Sequence, residues 1–320
     1  MIRSAPRALL LGALIASAYG VATADDYPSR IIKLVVAAPP GGGIDIVGRL
    51  IEPTMSQNLG QKIIVDNRPG ANGIVGATFV AHAPPDGYTI FISTAGPVTN
   101  ALNAPISYDV KTAFQPISRV MTSPFFLVVA ESSKIKTVAD LIAAGKDPKE
   151  TIRYGHPGLG TVTHLASALL GKMAGANFVA IPYRGSAGQV QDTLSGQVQF
   201  GLLAAPDALS RRNDGLRILA VSSAERSVLA PDIPTIAESG VPGYDVALWH
   251  GLFAPAQTPR PIVERVRSAL AAAQQDEATR ARFTALGMVP VLDTPEQFAT
   301  IVKNQLDKDA TLAKELDLKP

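Results

Sequence analysis

Two glycine-rich segments carry the residues best suited to hold a ligand. The first, Pro39–Asp45, follows an apolar run and precedes a stretch with helical spacing of apolar residues. Glycines let the backbone approach a bound group closely, and a following helix adds unpaired amides and the positive end of its dipole. Such a segment can bind an anion through its backbone N–H groups. The candidate residues here are Gly41, Gly42, Gly43, Ile44 and Asp45.

The second segment, residues 158–164, also lies between a predicted strand and a predicted helix. It offers backbone donors and the hydroxyl of Thr161. If the two segments face each other across a cleft, each can hold one end of a carboxylate ligand. Hydrogen bonds to a charged group contribute roughly 1.5–3 kcal/mol each, so three or four suffice for micromolar affinity. The candidates are Gly158, Gly160, Thr161, Val162, Thr163 and His164.

A purely structural interpretation of both segments stays open. Each segment can be a tight turn from strand to helix, with Asp45 and Thr161 acting as helix caps. A nucleotide-binding loop is excluded for the first segment. A Walker motif ends in Gly-Lys-Ser/Thr, whereas this segment ends in Ile44-Asp45.

Constellations typical of enzymes are absent from the sequence. There is no Gly-x-Ser-x-Gly elbow, no His-Glu-x-x-His motif and no cysteine, and the four histidines are not spaced as metal ligands. We therefore predict a binding protein that is not an enzyme and has no cofactor or metal. An enzyme acting on an anionic substrate is the alternative, with Asp45 and His164 as its acid–base candidates.

The first 24 residues have the pattern of a secretory signal peptide. Arg3 and Arg7 precede an apolar run over residues 8–22, and Ala22-Thr23-Ala24 forms a small-x-small site. A membrane anchor is the alternative, but the run is shorter than the ~20 residues that span a bilayer. We predict cleavage after Ala24 and a periplasmic location.

Composition favours two folded α/β domains. Of the 320 residues, 47% are hydrophobic and 18% charged, and the formal net charge is +2, which argues against disorder and nucleic-acid binding. Alternating strand and helix patterns predict sheets that are largely parallel.

Trp249 either lines a ligand cleft or braces a domain junction. The predicted strands are 31–36, 62–65, 88–93, 125–130, 151–154, 178–181, 197–203, 216–222 and 251–254. The predicted helices are 44–59, 73–82, 161–174, 188–194, 261–273, 277–286 and 295–316, with a short one opening at 138–141.

Several short motifs, in this order, resemble one known family. They are residues 39–45 with Arg49, 66–76, 83–89, 158–165, 181–185, 231–235 with 238–240, and 249–255. Together they are similar to the substrate-binding proteins of tripartite tricarboxylate transporters, also called Bug proteins. The similarity extends over nearly all of the chain that follows the predicted signal peptide.

The resemblance implies a two-lobe binding protein of the Venus flytrap type II class. One lobe would comprise residues 25–125 and 247–320, and the other residues 126–246. The two glycine-rich segments would hold a ligand carboxylate, and Ser93 and Thr94 would line the cleft. The partner implied is a membrane permease, or a sensor protein instead, and a monomer is expected.

Three departures from the family pattern bear on the ligand. Family members usually have an aromatic residue where this chain has Ala37-Ala38, and threonine is common at the position of Ile44. An aspartate is common near the position of Leu203. These replacements predict a roomier, more apolar cleft, which favours an aromatic or medium-chain carboxylate. The missing aspartate weakens the case for an amino-acid ligand.

Overall fold

Strands and helices alternate along the chain in a computed structural model of the protein, which describes residues 27–94, 106–158, 161–183, 185–212 and 214–315. The predicted signal peptide, Gly160 and the segment that follows Thr94 lie outside the described residues. The strands are β1 (Ile32–Val36), β2 (Ile63–Asn67), β3 (Thr89–Ser93), β4 (Phe114–Ala130), β5 (Ile152–His156), β6 (Phe178–Pro182), β7 (Phe200–Ala204), β8 (Leu216–Val221), β9 (Ala247–Pro255) and β10 (Val289–Pro290). The α-helices are α1 (Gly43–Leu59), α2 (Ile74–Ala81), α3 (Val138–Lys146), α4 (Val162–Ala174), α5 (Ser186–Leu194), α6 (Ala205–Leu209), α7 (Arg260–Gln275), α8 (Glu277–Ala285) and α9 (Pro295–Glu315).

The strands form one mixed sheet in the order β2-β1-β3-β9-β4-β7-β5-β6, with β8 and β10 also pairing with β4. The trios β2-β1-β3 and β6-β5-β7 are parallel. Strands β9 and β4 between them pair antiparallel with their neighbours. The prediction of largely parallel sheets is therefore correct for the outer strands of each half and wrong for the centre.

The long strand β4 joins the two halves of the sheet. Its first part pairs with β9 as far as Pro124 opposite Ala247, and its second part pairs with β7 and β8 from Phe125 onward. The sequence predicted only the second part, as a strand over residues 125–130 that Pro124 precedes. The register shifts near Pro116, and such irregularities let a sheet accommodate proline.

Each half of the sheet has its own buried cores. In the first half, one core packs α1 and α7 against one sheet face, and a second packs α9 against the other. Trp249 belongs to the second core. It is 5% exposed and meets the Phe298 ring edge-on at 5.3 Å between centroids. Its side chain therefore braces α9 against β9 and does not line an open cleft.

Candidate anion-binding site at two strand ends

The strand register directs both glycine-rich loops toward the same stretch of β4. Strand β1 runs in the direction of β4, and its last residue, Val36, is level with Ser118. Strand β5 runs in the opposite direction, with Gly155 level with Val128. At about 3.3 Å per residue, the two strand ends are about 30 Å apart along β4. The loops that follow them extend into this interval from opposite sides.

The first loop leads into α1 without a side-chain cap. The N-cap is Gly42, in extended conformation, and the helix begins at Gly43. The interpretation of Asp45 as the cap was wrong, since Asp45 lies in the first helical turn. Its side chain folds back instead, and Oδ2 accepts a hydrogen bond from the Gly41 amide at 2.8 Å.

Asp45 is the centre of a network that fixes this loop. The carboxylate is 1% exposed and also accepts hydrogen bonds from Arg49 Nε at 3.0 Å and Asn67 Nδ2 at 2.9 Å. Asn67 Nδ2 also donates to the carbonyl oxygen of Ala38 at 3.0 Å. Burial by itself would raise the pKa of Asp45, but the bonds from Arg49, Gly41 and Asn67 outweigh it and lower the pKa. The carboxylate is therefore ionised, and its charge is matched by Arg49.

These bonds decide which amides of the first loop remain for a ligand. The amide of Gly41 is used by Asp45, and that of Gly42 donates to the carbonyl oxygen of Pro39 at 3.2 Å. The first amides of a helix have no acceptor within it, which leaves those of Gly43, Ile44 and Asp45. A Cβ atom on Gly43 would meet nothing within 4 Å, so the space in front of this turn is open.

The second loop is fixed by bonds that converge on one carbonyl. The oxygen of Gly158 accepts hydrogen bonds from His156 Nδ1 at 2.7 Å and from Thr161 Oγ1 at 2.8 Å. Thr161 occupies the N-cap position as predicted, but its hydroxyl makes no capping bond to the helix. That hydroxyl donates within the loop and is not a free donor for a ligand. Among the first-turn amides of α4, those of Val162 and Thr163 remain as donors, because such amides have no acceptor within the helix.

A stacked pair of histidines lies beneath the second loop. The rings of His156 and His164 are both buried, with centroids 4.2 Å apart and planes at 18°. Burial lowers the pKa of His156, and burial with the nearby His156 lowers that of His164 to about 4. Both rings are therefore neutral near pH 7, and His156 must carry its proton on Nδ1 to donate to Gly158. His156 was not among the predicted site residues, although its place at the end of β5 was a usable signal.

Two polar atoms at this end of α4 are buried without a hydrogen-bond partner, namely His156 Nε2 and Thr163 Oγ1. Thr163 was predicted as a site residue, but its hydroxyl is covered by protein in this conformation. In this conformation the side chain of Thr163 therefore offers no exposed hydroxyl to a ligand.

The remaining predicted positions are placed differently from one another. Ser93 is fully buried, and its hydroxyl donates to the Thr94 carbonyl oxygen at 3.1 Å, whereas Thr94 is half-buried. Leu203 is 2% exposed and packs in a core with Phe126. The argument that Leu203 makes the cleft more apolar was therefore wrong. Its neighbour Ala204, at the end of β7, is the exposed residue there.

The geometry gives little support to acid–base chemistry at these loops. Asp45 is ionised and fully engaged, and His164 is buried and neutral. Within the described ranges, no cluster of three or more His, Cys, Asp or Glu side chains is arranged to hold a metal ion. No helix in the part of the chain that the structure describes is both long and apolar enough to cross a membrane.

Comparisons with known proteins agree with this arrangement. The profile of the TctC family, described as "Tripartite tricarboxylate transporter family receptor", matches residues 47–318. Protein BugT of Bordetella pertussis strain Tohama I is 33% identical over 317 residues, covering 97% of each chain. The structure of Rpa4515 from R. palustris with adipate has a TM-score of 0.71 and 34% identity, covering 92% of this chain and 100% of that one. The structure of MatC from Rhodopseudomonas palustris with bound malate has a TM-score of 0.67 and 29% identity, covering 89% of this chain and 99% of that one.

The fold is that of a two-lobe periplasmic binding protein, with helices flanking a curled sheet. The chain belongs to the tripartite tricarboxylate transporter receptor family, whose members are periplasmic solute-binding proteins. The family resemblance inferred from the sequence motifs is thereby confirmed.

Proposed function

We propose that this protein captures a small carboxylate between its two lobes and delivers it to the permease of a tripartite tricarboxylate-type transporter. The observation that carries the proposal is the pair of uncapped helix starts, α1 and α4, directed at the same stretch of β4. Each presents first-turn amides and a positive dipole end, which favour a negatively charged group. Adipate and malate in the two related structures are carboxylates, which supports this ligand class.

The ligand contacts are proposed to be mainly backbone amides. In the first loop these are the amides of Gly43, Ile44 and Asp45, and in the second those of Val162 and Thr163, next to the predicted site residue His164. Gly160 and Thr94 complete the proposed site. Gly41, Gly42, Gly158, Thr161 and Ser93 support it from within their loops, because their polar groups are bonded there or buried.

The proposed ligand is an aromatic or medium-chain carboxylate. Ala38 and Ile44 are both half-buried at the first loop. Because their side chains are apolar, they offer no hydrogen bond to a hydrophilic ligand. Removing apolar ligand surface from water there contributes about 25 cal/mol per Å². Leu203 no longer contributes to this argument.

The lobes and the location follow from the same proposal. One lobe comprises residues 25–125 with 247–320 and the other residues 126–246, supported by the change of β4 partners between Pro124 and Phe125. The chain would be exported and cleaved after Ala24, and would act as a monomer without enzymatic activity. A sensor protein is the alternative partner to a permease. N-terminal sequencing of the protein recovered from the periplasm tests the cleavage.

Proline substitutions test the amide contacts one at a time. Proline is favoured at the first position of a helix and removes only the N–H donor there. Gly43 and Val162 occupy this position in α1 and α4, and the residues before them are extended, as proline requires. Gly43→Pro and Val162→Pro should each weaken binding about 10- to 100-fold, the loss of one charge-assisted hydrogen bond. Glu277→Pro, at the start of α8, is the matched control.

The ligand itself is found by a thermal-shift screen of aliphatic and aromatic mono-, di- and tricarboxylates. A ligand at 100 times its Kd stabilises the folded state by about 2.7 kcal/mol. Calorimetry on the best ligand then gives Kd for the three variants. If Gly43→Pro and Val162→Pro both fold and bind as tightly as Glu277→Pro, the proposed site is wrong.

A further inference from the structure

A separate pocket lies on the first lobe, and we infer that it binds an apolar molecule carrying a single negative charge. Its volume is about 280 Å³, and it is bounded by α9 on one side and by the start of β4 with the preceding turn on the other. Phe253 forms part of its floor, on the sheet face that packs against α9. Neither glycine-rich loop contributes to its lining, and α1 packs on the opposite sheet face.

The pocket exists because α9 docks on the sheet at two separated points. Phe298 is fully buried and lies over Gly251, where a Cβ atom would come within 2.2 Å of the Phe298 ring. Two helical turns later, Leu306 is 5% exposed and packs against Val110. The residue between these anchors on the same helix face is Val302, which is shorter and only half-buried. The space that Val302 leaves unfilled is the pocket.

The walls are apolar and partly aromatic. The rings of Phe114 and Phe253 meet edge to face, with centroids 6.2 Å apart, and both border the cavity. Val302, Leu306 and Pro116 complete the apolar part of the wall. Such a surface suits one ring or a branched alkyl group, since the volume is at the small end of the range for ligand pockets.

Charge at the pocket is positive by one unit. The charged residues in the lining are Lys111, Lys303 and Asp307. Lys303 and Asp307 form an ion pair at 2.9 Å, and Lys303 with the nearby Lys111 lowers the pKa of Asp307. Among the described residues, no carboxylate forms an ion pair with Lys111, which leaves its ammonium to pair with a ligand. A second negative charge on the ligand would lie against apolar walls without a partner, which is costly.

The test is a methyl-labelled NMR titration with 3-phenylpropionate on the full protein. Val110, Val302 and Leu306 report on the pocket, whereas Ile44 and Val162 report on the glycine-rich loops. We expect the pocket methyl signals to shift and saturate with their own dissociation constant, unchanged by Gly43→Pro. A probe concentration of about 10 mM nearly saturates a site whose Kd is about 1 mM. Pocket signals that stay unshifted at this concentration would overturn the inference. The outcome is independent of the interlobe site.

Substitutions then separate shape from charge. Val302→Phe fills the cavity and should abolish the shifts of the pocket methyl signals. If Val302→Phe does not fold, Ala299→Leu fills part of the same cavity. Lys111→Glu should weaken binding about tenfold, while Lys134→Glu, an exposed lysine of the other lobe, should leave it unchanged. The uncharged 3-phenylpropionamide should bind about tenfold more weakly than the acid. Equal binding of acid and amide, or no effect of either filling variant, would contradict the inference.

Discussion

The two glycine-rich loops have the same proposed role in ligand binding but are held in place by different chemistry. In the first, an ionised carboxylate, Asp45, accepts bonds from a loop amide, an arginine and an asparagine. In the second, a neutral histidine, His156, and a threonine hydroxyl donate to one loop carbonyl. A turn rich in glycine loses much conformational entropy on ordering, and a loop that its network has already ordered would not lose that entropy on binding a ligand. The two loops should therefore differ in their response to mutation and to pH.

The largest effect is expected from Asp45→Ala. The substitution removes the buried acceptor of three hydrogen bonds and leaves the donors of Gly41, Arg49 and Asn67 without it. We expect a loss of about 3 kcal/mol in unfolding free energy and at least a tenfold loss of affinity. Urea unfolding and calorimetry measure both quantities. Asp66→Ala, which removes a half-buried partner of Arg68 outside the helix start, is the control and should cost much less.

His156→Ala should have the next largest effect, on binding through the loop and on stability through the cavity left by the buried ring. It removes one of the donors to the Gly158 carbonyl, but Thr161 remains. We expect affinity to fall about tenfold, the equivalent of 1.4 kcal/mol. His156→Asn retains an N–H donor and should recover part of that loss. If Asn and Ala variants have the same Kd, the bond to Gly158 does not position the loop.

Acidification should disable the second loop before the first. The pKa values of His156 and His164 are lowered by burial, the latter to about 4, so the unfolded chain binds protons first as the pH falls below 6.5. The stability they confer is complete above pH 6.5 and is lost as the pH falls toward 4. The pKa of Asp45 is also lowered from its usual value of 3.8. The stability that Asp45 contributes is therefore complete above pH 3.8 and is lost only at still lower pH.

Chemical denaturation at pH 7, 6, 5 and 4 checks this order. His250 is a third buried histidine, whose pKa burial lowers to about 4, and it contributes the same trend from the first half of the sheet. A His250→Gln variant isolates the pair beneath the second loop. If that variant has a pH-independent unfolding free energy between pH 7 and 4, the histidine pair does not act as described.

Arg49→Gln should have the smallest effect. Its side chain is 53% exposed, and exposed ion pairs contribute about 0–1 kcal/mol. Asp45 would keep its bonds from Gly41 and Asn67, so the loop should stay ordered and Kd should rise less than about threefold. A loss as large as that of Asp45→Ala would show that charge balance, and not the amide and asparagine bonds, holds the first loop.

The local pattern of the sequence predicted most elements within one to three residues. The helix expected at 44–59 is Gly43–Leu59, and the strand expected at 88–93 is Thr89–Ser93. Apolar periodicity and flanking glycines are properties of neighbouring residues, so they can be read without the fold. The first part of β4 could not be predicted, because its pairing with β9 joins residues more than 100 positions apart.

For the site, the sequence by itself determined that two glycine-rich turns precede helices and that enzyme motifs are missing. Only the tertiary structure decided which polar groups in those turns are already used, because side chains such as Asn67 and Asp45 meet through folding, not through sequence proximity. It likewise showed that Leu203 is a core residue and that His156 lies beneath the loop. Burial depends on what packs against a residue from elsewhere in the chain, and no local pattern contains that information.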